Sequence, residues 1–313
     1  MTEVLGNTLP VFALVLVGYA AGRRNWITEG GAKGLSSFVF YLAVPALLFR
    51  TLGRADVMDA LDPRVVLAYF SGTFIVMAVA WGVGRLAFAS RFEELAVMAM
   101  GAMYSNIVLL GIPLVYALFG EPGLLPLMMI VAVHSLVLLP LTMILIEAGR
   151  RSEGGTGDLA QAVLGAVFKN PVILSILAGI AFNLSGLELA GALDRFTGML
   201  GGASAPCALF ALGATLSLYR VGGDLRESLT VVALKLVVHP ALVWVMTAKI
   251  FVLPPLWVAV ATVTAALPTG VNVFIMAHQY NVYLARTTAA ILISTFLSVG
   301  TVTGLLLLLA PVR

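Results

Sequence analysis

Charge is what this sequence has least of: Asp, Glu, Lys and Arg make up 11% of its 313 residues, against roughly 25% in soluble globular proteins. That scarcity excludes an ordinary soluble domain, and with 61% of the residues apolar it excludes disorder as well. A single cysteine, Cys207, excludes an intrachain disulfide and a multi-cysteine metal centre. Its apolar surroundings make it a packing residue. Only three histidines occur. With no His-Glu-x-x-His, no Gly-x-Ser-x-Gly and no paired intramembrane aspartates, the chain lacks the usual groups for metal-assisted or nucleophilic catalysis. No enzyme activity and no cofactor are expected. A net charge of +3, scattered along the chain, gives no footing for nucleic acid.

What the chain has is apolar runs. Its mean hydropathy is +1.05, and crossing a bilayer takes about 20 apolar residues in a helix. Polar breaks separate runs at 7–22, 34–52, 64–89, 94–119, 123–147, 170–186, 197–219, 229–252, 254–280 and 284–310. This predicts an all-α polytopic membrane protein of ten transmembrane helices. The segment after Met1-Thr-Glu carries no basic leader and contains Pro10, so it is expected to be a retained span rather than a signal peptide. Ten spans put both termini on one side. One set of alternate loops holds Arg23, Arg24, Lys33, Arg85, Arg91, Arg150, Arg151, Lys169, Arg220, Arg226 and Arg286; the other holds Arg50, Arg54, Arg64, Arg195, Lys249 and Arg313. The positive-inside rule assigns the richer set to the cytoplasm, which places both termini outside a cytoplasmic (inner) membrane.

The longest polar interruption, about 150–169, contains Arg150-Arg-Ser-Glu-Gly-Gly-Thr-Gly-Asp158 and reads as a cytoplasmic connector between 1–149 and 170–313. At a shift of 161 residues Pro10 falls on Pro171, Gly18 on Gly179, Pro45 on Pro206 and Phe49 on Phe210. Each half holds five spans. Because five is odd, the second copy enters from the opposite side, an inverted-topology repeat, which is a transporter device.

The fourth span reads Tyr104-Ser-Asn-Ile-Val-Leu-Leu-Gly-Ile-Pro-Leu114 and the ninth Leu267-Pro-Thr-Gly-Val-Asn-Val-Phe274. Proline removes a helix donor and displaces the carbonyl four residues earlier, while glycine eases unwinding. Backbone freed at membrane depth survives only where protein or a watery cavity satisfies it. Two facing breaks would surround one polar site, whose positive helix ends suit a carboxylate. Asn106 and Asn272 are the leading substrate-site candidates, with Ser105 and Thr269 behind them. At the 161-residue shift, however, Asn106 faces Leu267 and Asn272 faces Gly111.

Phe38-Val-Phe-Tyr-Leu-Ala-Val-Pro-Ala-Leu-Leu-Phe49, Asn106 with Gly111-Ile-Pro-Leu114, Lys235, and Pro268-Thr-Gly-Val-Asn272 together resemble the auxin efflux carrier family, over nearly the whole chain. The short central connector resembles its bacterial branch. The resemblance implies two inverted five-helix repeats with helices four and nine broken and crossing. It implies a scaffold from about 7–62 and 170–223, a mobile bundle from about 63–149 and 224–313, and elevator-type alternating access. Asn106, Gly111, Pro113, Pro268 and Asn272 would then line the crossing, a small carboxylate such as malate, malonate or an auxin-like acid would be the cargo, and a homodimer is possible.

Ionisable groups inside spans are functional candidates by default. His134 lies midway along the fifth span, and Lys235 and His239 share one face of the eighth. Each histidine is a candidate for proton coupling, and Lys235 either snorkels to the interface or pairs with an anion. A sodium-coupled organic-anion symporter of similar architecture is the alternative carrier. A channel or membrane receptor is the alternative outside transport.

Overall fold

The computed structural model describes residues 2–54, 62–150, 170–219 and 222–309, and every regular element within them is a helix. These are α1 (Thr2–Arg23), α2 (Glu29–Arg54), α3 (Arg64–Ala87), α4 (Phe92–Met103), α5 (Ile107–Arg150), α6 (Pro171–Leu184), α7 (Gly191–Leu216), α8 (Leu225–Ile250), α9 (Pro255–Ala266), α10 (Val271–Tyr280) and α11 (Leu284–Leu309). Among the described residues six of them, α2, α3, α5, α7, α8 and α11, are long and apolar enough to cross a membrane. The connector expected beyond Arg150 lies outside the described residues, as do Arg151, Lys169, Arg220 and Arg313.

Helix starts follow from local chemistry. Thr28 accepts from Gly31 N at the head of α2, Asn170 from Val172 N at the head of α6, and Asp224 from Arg226 N at the head of α8. Pro171 occupies the first turn of α6, where a missing N–H costs nothing. Three π turns have one cause. Val39–Ala43, Ile107–Gly111 and Leu234–Val238 each end two residues before a proline, Pro45, Pro113 and Pro240. A proline ring clashes with the carbonyl four residues back. Those positions, Tyr41, Leu109 and Leu236, are the centres of the three widened turns. Gly120 breaks α5 outright with φ 65° and ψ −159°, a conformation open to glycine alone.

The residues cluster into two compact units. Unit 1 is Met1–Pro63, Val108–Ala132 and Leu164–Leu218; unit 2 is Arg64–Ile107, Val133–Val163 and Tyr219–Arg313. Val108–Ala132, in the middle of the chain's first half, clusters with unit 1.

Within unit 1, α1 packs along Ser204–Leu216 and Val44–Arg54 along Pro171–Leu184. Glycine sets how closely they approach, because apolar helices in lipid associate by packing rather than by water exclusion. A Cβ on Gly18 would land on the Phe210 carbonyl oxygen, and one on Gly179 would sit 3.0 Å from that of Phe49. Adding 161 to one pair and subtracting it from its partner exchanges the two contacts. At one edge of the unit Arg50 contacts Asp194 at 2.9 Å and Glu121 at 3.2 Å, and Arg54 also reaches Asp194. Arg50 is thus the centre of an ion-pair cluster.

Within unit 2, α3 packs on α4 and α8, and α8 also packs on α11. Close approach again relies on glycine: a Cβ on Gly101 would come within 2.9 Å of Val231, and one on Gly72 within 2.9 Å of Val243. Arg286 ties three segments by pairing with Glu94 at 3.1 Å and with the buried Glu227 at 3.3 Å, while stacking over Tyr283. Burial first, and then the neighbouring Glu227 carboxylate, raise the Tyr283 phenol above its ordinary pKa.

Candidate functional site: two chain breaks crossing in unit 2

Two interruptions lie side by side in unit 2. α4 ends at Met103 because Tyr104 turns extended, with φ −86° and ψ 109°. α9 ends at Ala266 because Pro268 forces the residue before it, Leu267, to φ −59° and ψ 151°. The freed backbone of each satisfies the other. Asn106 N donates to Pro268 O at 3.0 Å and Gly270 N to Tyr104 O at 2.9 Å, an antiparallel bridge centred on Ser105 and Thr269. Gly270 is required here, since a Cβ would lie 2.8 Å from the Tyr104 ring and 3.1 Å from Ser105 O.

The two bonds exchange under a shift of 164, which carries Tyr104 to Pro268, Ser105 to Thr269 and Asn106 to Gly270. The flanking acceptors follow the same register. Thr269 Oγ1 donates to Gly101 O at 2.9 Å, and Ala265 O, 164 residues on from Gly101, accepts from Lys235. The mismatch of Asn106 with Leu267 in the 161-residue register is therefore a local slip of three residues.

Lys235 is wholly buried, so it does not snorkel. The π turn of α8 carries it, and its ammonium meets three acceptors: Ser105 Oγ at 2.8 Å, His239 Nδ1 at 3.2 Å and Ala265 O. An ammonium has three donors and no acceptor, which matches this set. His239 then keeps its proton on Nε2, which faces Thr73 Oγ1 at 3.1 Å, and Thr73 donates onward to Tyr69 O at 2.8 Å. Every proton in this chain has a place when Lys235 is charged and His239 neutral. Among the described residues no carboxylate pairs with Lys235, and its three partners are neutral groups.

On the other side of the bridge, Asn272 Nδ2 donates to Tyr104 OH at 2.7 Å, leaving the phenol proton for Ser135 Oγ, also at 2.7 Å. Ser105 N donates to His134 Nε2 at 3.3 Å, and Thr269 N to Ser294 Oγ at 3.1 Å. Two buried side-chain groups here have no partner among the described residues, Asn106 Nδ2 and His134 Nδ1. Leaving such a group unsatisfied costs about 1–3 kcal/mol, so native sites keep few without a reason.

Of the residues named from sequence, Ser105, Asn106, Pro268, Thr269, Asn272, His134, Lys235 and His239 all belong to unit 2, within this bonded set or next to it. Gly111 and Pro113 belong to unit 1. There Pro113 lines an apolar cavity of about 320 Å³ with Pro10, Leu14, Pro206 and Leu209. Tyr69, Thr73, Tyr104, Ser135 and Ser294 are contributors that sequence reasoning did not pick out as site residues. Their shared signal is a hydroxyl in an otherwise apolar span.

Described residues that form only helices, several of membrane length, and a buried lysine that meets no carboxylate among them, beside two paired breaks, have the make-up of a membrane transporter. The sequence matches the membrane transport protein family over residues 3–306, and the chain belongs to that family. It is 33% identical over 310 residues to a Rhizobium meliloti protein named "Putative malonate transporter", covering 99% of this chain and 97% of that one. It is 22% identical to auxin efflux carrier component 8 of Arabidopsis thaliana, over 90% of each. It is also 31% identical to the mouse lysosomal cholesterol signaling protein, covering 95% of this chain but 36% of that longer protein. The chain is a transporter of the auxin efflux carrier family, bacterial branch, and not an enzyme.

Proposed function

We propose that the chain is a secondary carrier that moves a small organic anion, of which malonate is the representative, across the cytoplasmic membrane by elevator-type alternating access. The observation that carries this reading is Lys235: a buried ammonium with three neutral acceptors and no carboxylate partner among the described residues is an electrostatic sink for a bound acid. Asn106 and Asn272 supply amide groups for the acid's oxygens, and Ser105 and Thr269 fix the bridge beneath them. The architecture proposed is ten spans in two inverted five-helix repeats, with the breaks at 104–106 and 267–270 in the fourth and ninth. The contacts that exchange under shifts of 161 and 164 support it. Unit 2 is the proposed moving bundle and unit 1 the scaffold, with both termini outside and two copies forming a dimer.

The test is counterflow in proteoliposomes. Labelled malonate is expected to accumulate transiently against unlabelled malonate on the far side, which an open pore cannot support. Asn106→Ala and Asn272→Ala are each expected to raise the malonate Kd about 10-fold or more, the loss of one hydrogen bond to a charged group, without loss of folded protein. A parent chain that shows no counterflow with any mono- or dicarboxylate would remove the anion reading. Uptake that requires a sodium gradient would move the assignment to the symporter. For orientation, a cysteine placed at Gly30 in a Cys207→Ser background is expected to react with an impermeant maleimide only from the cytoplasmic side.

A further inference from the structure

His134 holds a position that fixes its protonation without any titration. Its Nε2 accepts the main-chain N–H of Ser105; a backbone amide can only donate, so Nε2 carries no proton and the ring is the neutral Nδ1–H tautomer. The residue is 2% exposed, its ring lies 4.5 Å from that of Tyr104, and Tyr69 and Phe70 flank it at 6.1 and 6.4 Å. Nδ1 is therefore a buried donor locked in orientation, with no acceptor among the described residues. The second buried side-chain nitrogen in the same condition is Asn106 Nδ2, on the residue next to the one that orients His134; Asn106 is 6% exposed. Two unsatisfied donors at one break, close to a wholly buried ammonium, call for an oxygen-rich anionic acceptor.

We propose that His134 is a substrate-binding donor rather than a proton carrier: its Nδ1–H and the Asn106 amide together receive the carboxylate oxygens of the bound acid. This rests on the organic-anion reading above and adds to it a residue from α5 and a fixed protonation state. A proton carrier must accept a second proton on Nε2. Here that would break the bond that anchors Ser105, the centre of the bridge and an acceptor for Lys235.

Histidine labelled with ¹⁵N in the full chain gives a direct readout, because only three histidines are present and His134→Phe identifies the resonances in question. The expected spectrum has a protonated Nδ1 and an unprotonated Nε2 for His134, and malonate shifts the Nδ1 proton to lower field. His134→Phe is expected to weaken malonate binding about 20-fold or more, while His134→Gln, which offers both an acceptor for Ser105 N and an N–H donor, stays within about fivefold of the parent. An Nε2–H tautomer overturns the inference, and so does an Nδ1 proton that malonate leaves unmoved, which would mean the donor is spent on the Tyr104 ring. A parent chain that binds malonate while His134→Phe binds it equally well overturns this inference alone. A parent chain that binds no carboxylate removes the anion reading and this inference with it.

Discussion

Replacing Lys235 with methionine is expected to raise the Kd for malonate about 100-fold and to abolish counterflow at concentrations that saturate the parent. An ammonium and a carboxylate about 6 Å apart at an effective dielectric of about 20 attract by about 2.8 kcal/mol, which is about two orders of magnitude in affinity. Methionine matches the volume of the stem but leaves three acceptors, Ser105 Oγ, Ala265 O and His239 Nδ1, without their donor. A drop in melting temperature should therefore accompany the loss of binding. Lys235→Arg separates the two effects. It keeps the charge, but a planar fork cannot reach a hydroxyl, a carbonyl and an imidazole arranged around a single point. Affinity between that of the parent and that of the methionine variant is expected for arginine. Calorimetric titration of detergent-purified protein measures all three, and binding by the methionine variant at the parent's affinity would remove the electrostatic role assigned to Lys235.

Replacing Gly213 with valine is expected to lower stability by about 3 kcal/mol or more, at the upper end of what overpacking costs, and to leave little monodisperse protein after extraction. Even a Cβ at this position would fall on the Val15 carbonyl oxygen, and the main chain of Tyr19 lies 2.7 Å away. Both obstacles are backbone, so neither can rotate aside. Gly18→Val is expected to behave alike, because its obstacle is the Phe210 carbonyl. Gly300→Ala is the control: nothing lies within 4 Å of a Cβ there, so melting within about 2 °C of the parent is expected, a surface-type change. Fluorescence-detected size exclusion after a temperature series reads all three variants. Normal melting of the Gly213 variant would mean that α1 and Ser204–Leu216 are not held at the described separation.

The prolines show what the sequence could and could not disclose. Pro45, Pro113 and Pro240 are each preceded by a widened turn because ring and carbonyl collide at a fixed offset. That rule is local, so it is visible in the residues. Which proline unwinds its helix altogether is not local. Pro268 lies inside its break, whereas Pro113 sits in a helix and the unwound stretch before it begins nine residues earlier, at Tyr104–Asn106. The difference depends on what the opposite break offers, since extended backbone persists only where its groups find partners. Asn106, Ser105 and Thr269 could be singled out because an amide or hydroxyl in an apolar run is costly wherever it lies. For Lys235 the sequence leaves open both a reach to the interface and a place beside an anion. Its burial depends on Ser105, 130 residues earlier, and Ala265, 30 residues later, and no periodicity in its own helix encodes either partner. The three-residue slip between the 161 and 164 registers was similarly invisible, because apolar residues match apolar residues in either one.

An ammonium at Lys235, unpaired among the described residues, has an electrical consequence for a carrier that works by the proposed elevator. Counting the crossing alone, the empty bundle carries one positive charge, and a dicarboxylate converts it to one negative. A membrane that is negative inside drives a negative body outward and a positive body inward, by about 2.3 kcal/mol per charge for each 100 mV. Both strokes of the cycle then run downhill in the same sense. Voltage by itself would make a dianion exporter of this protein, with no second ion needed to power it.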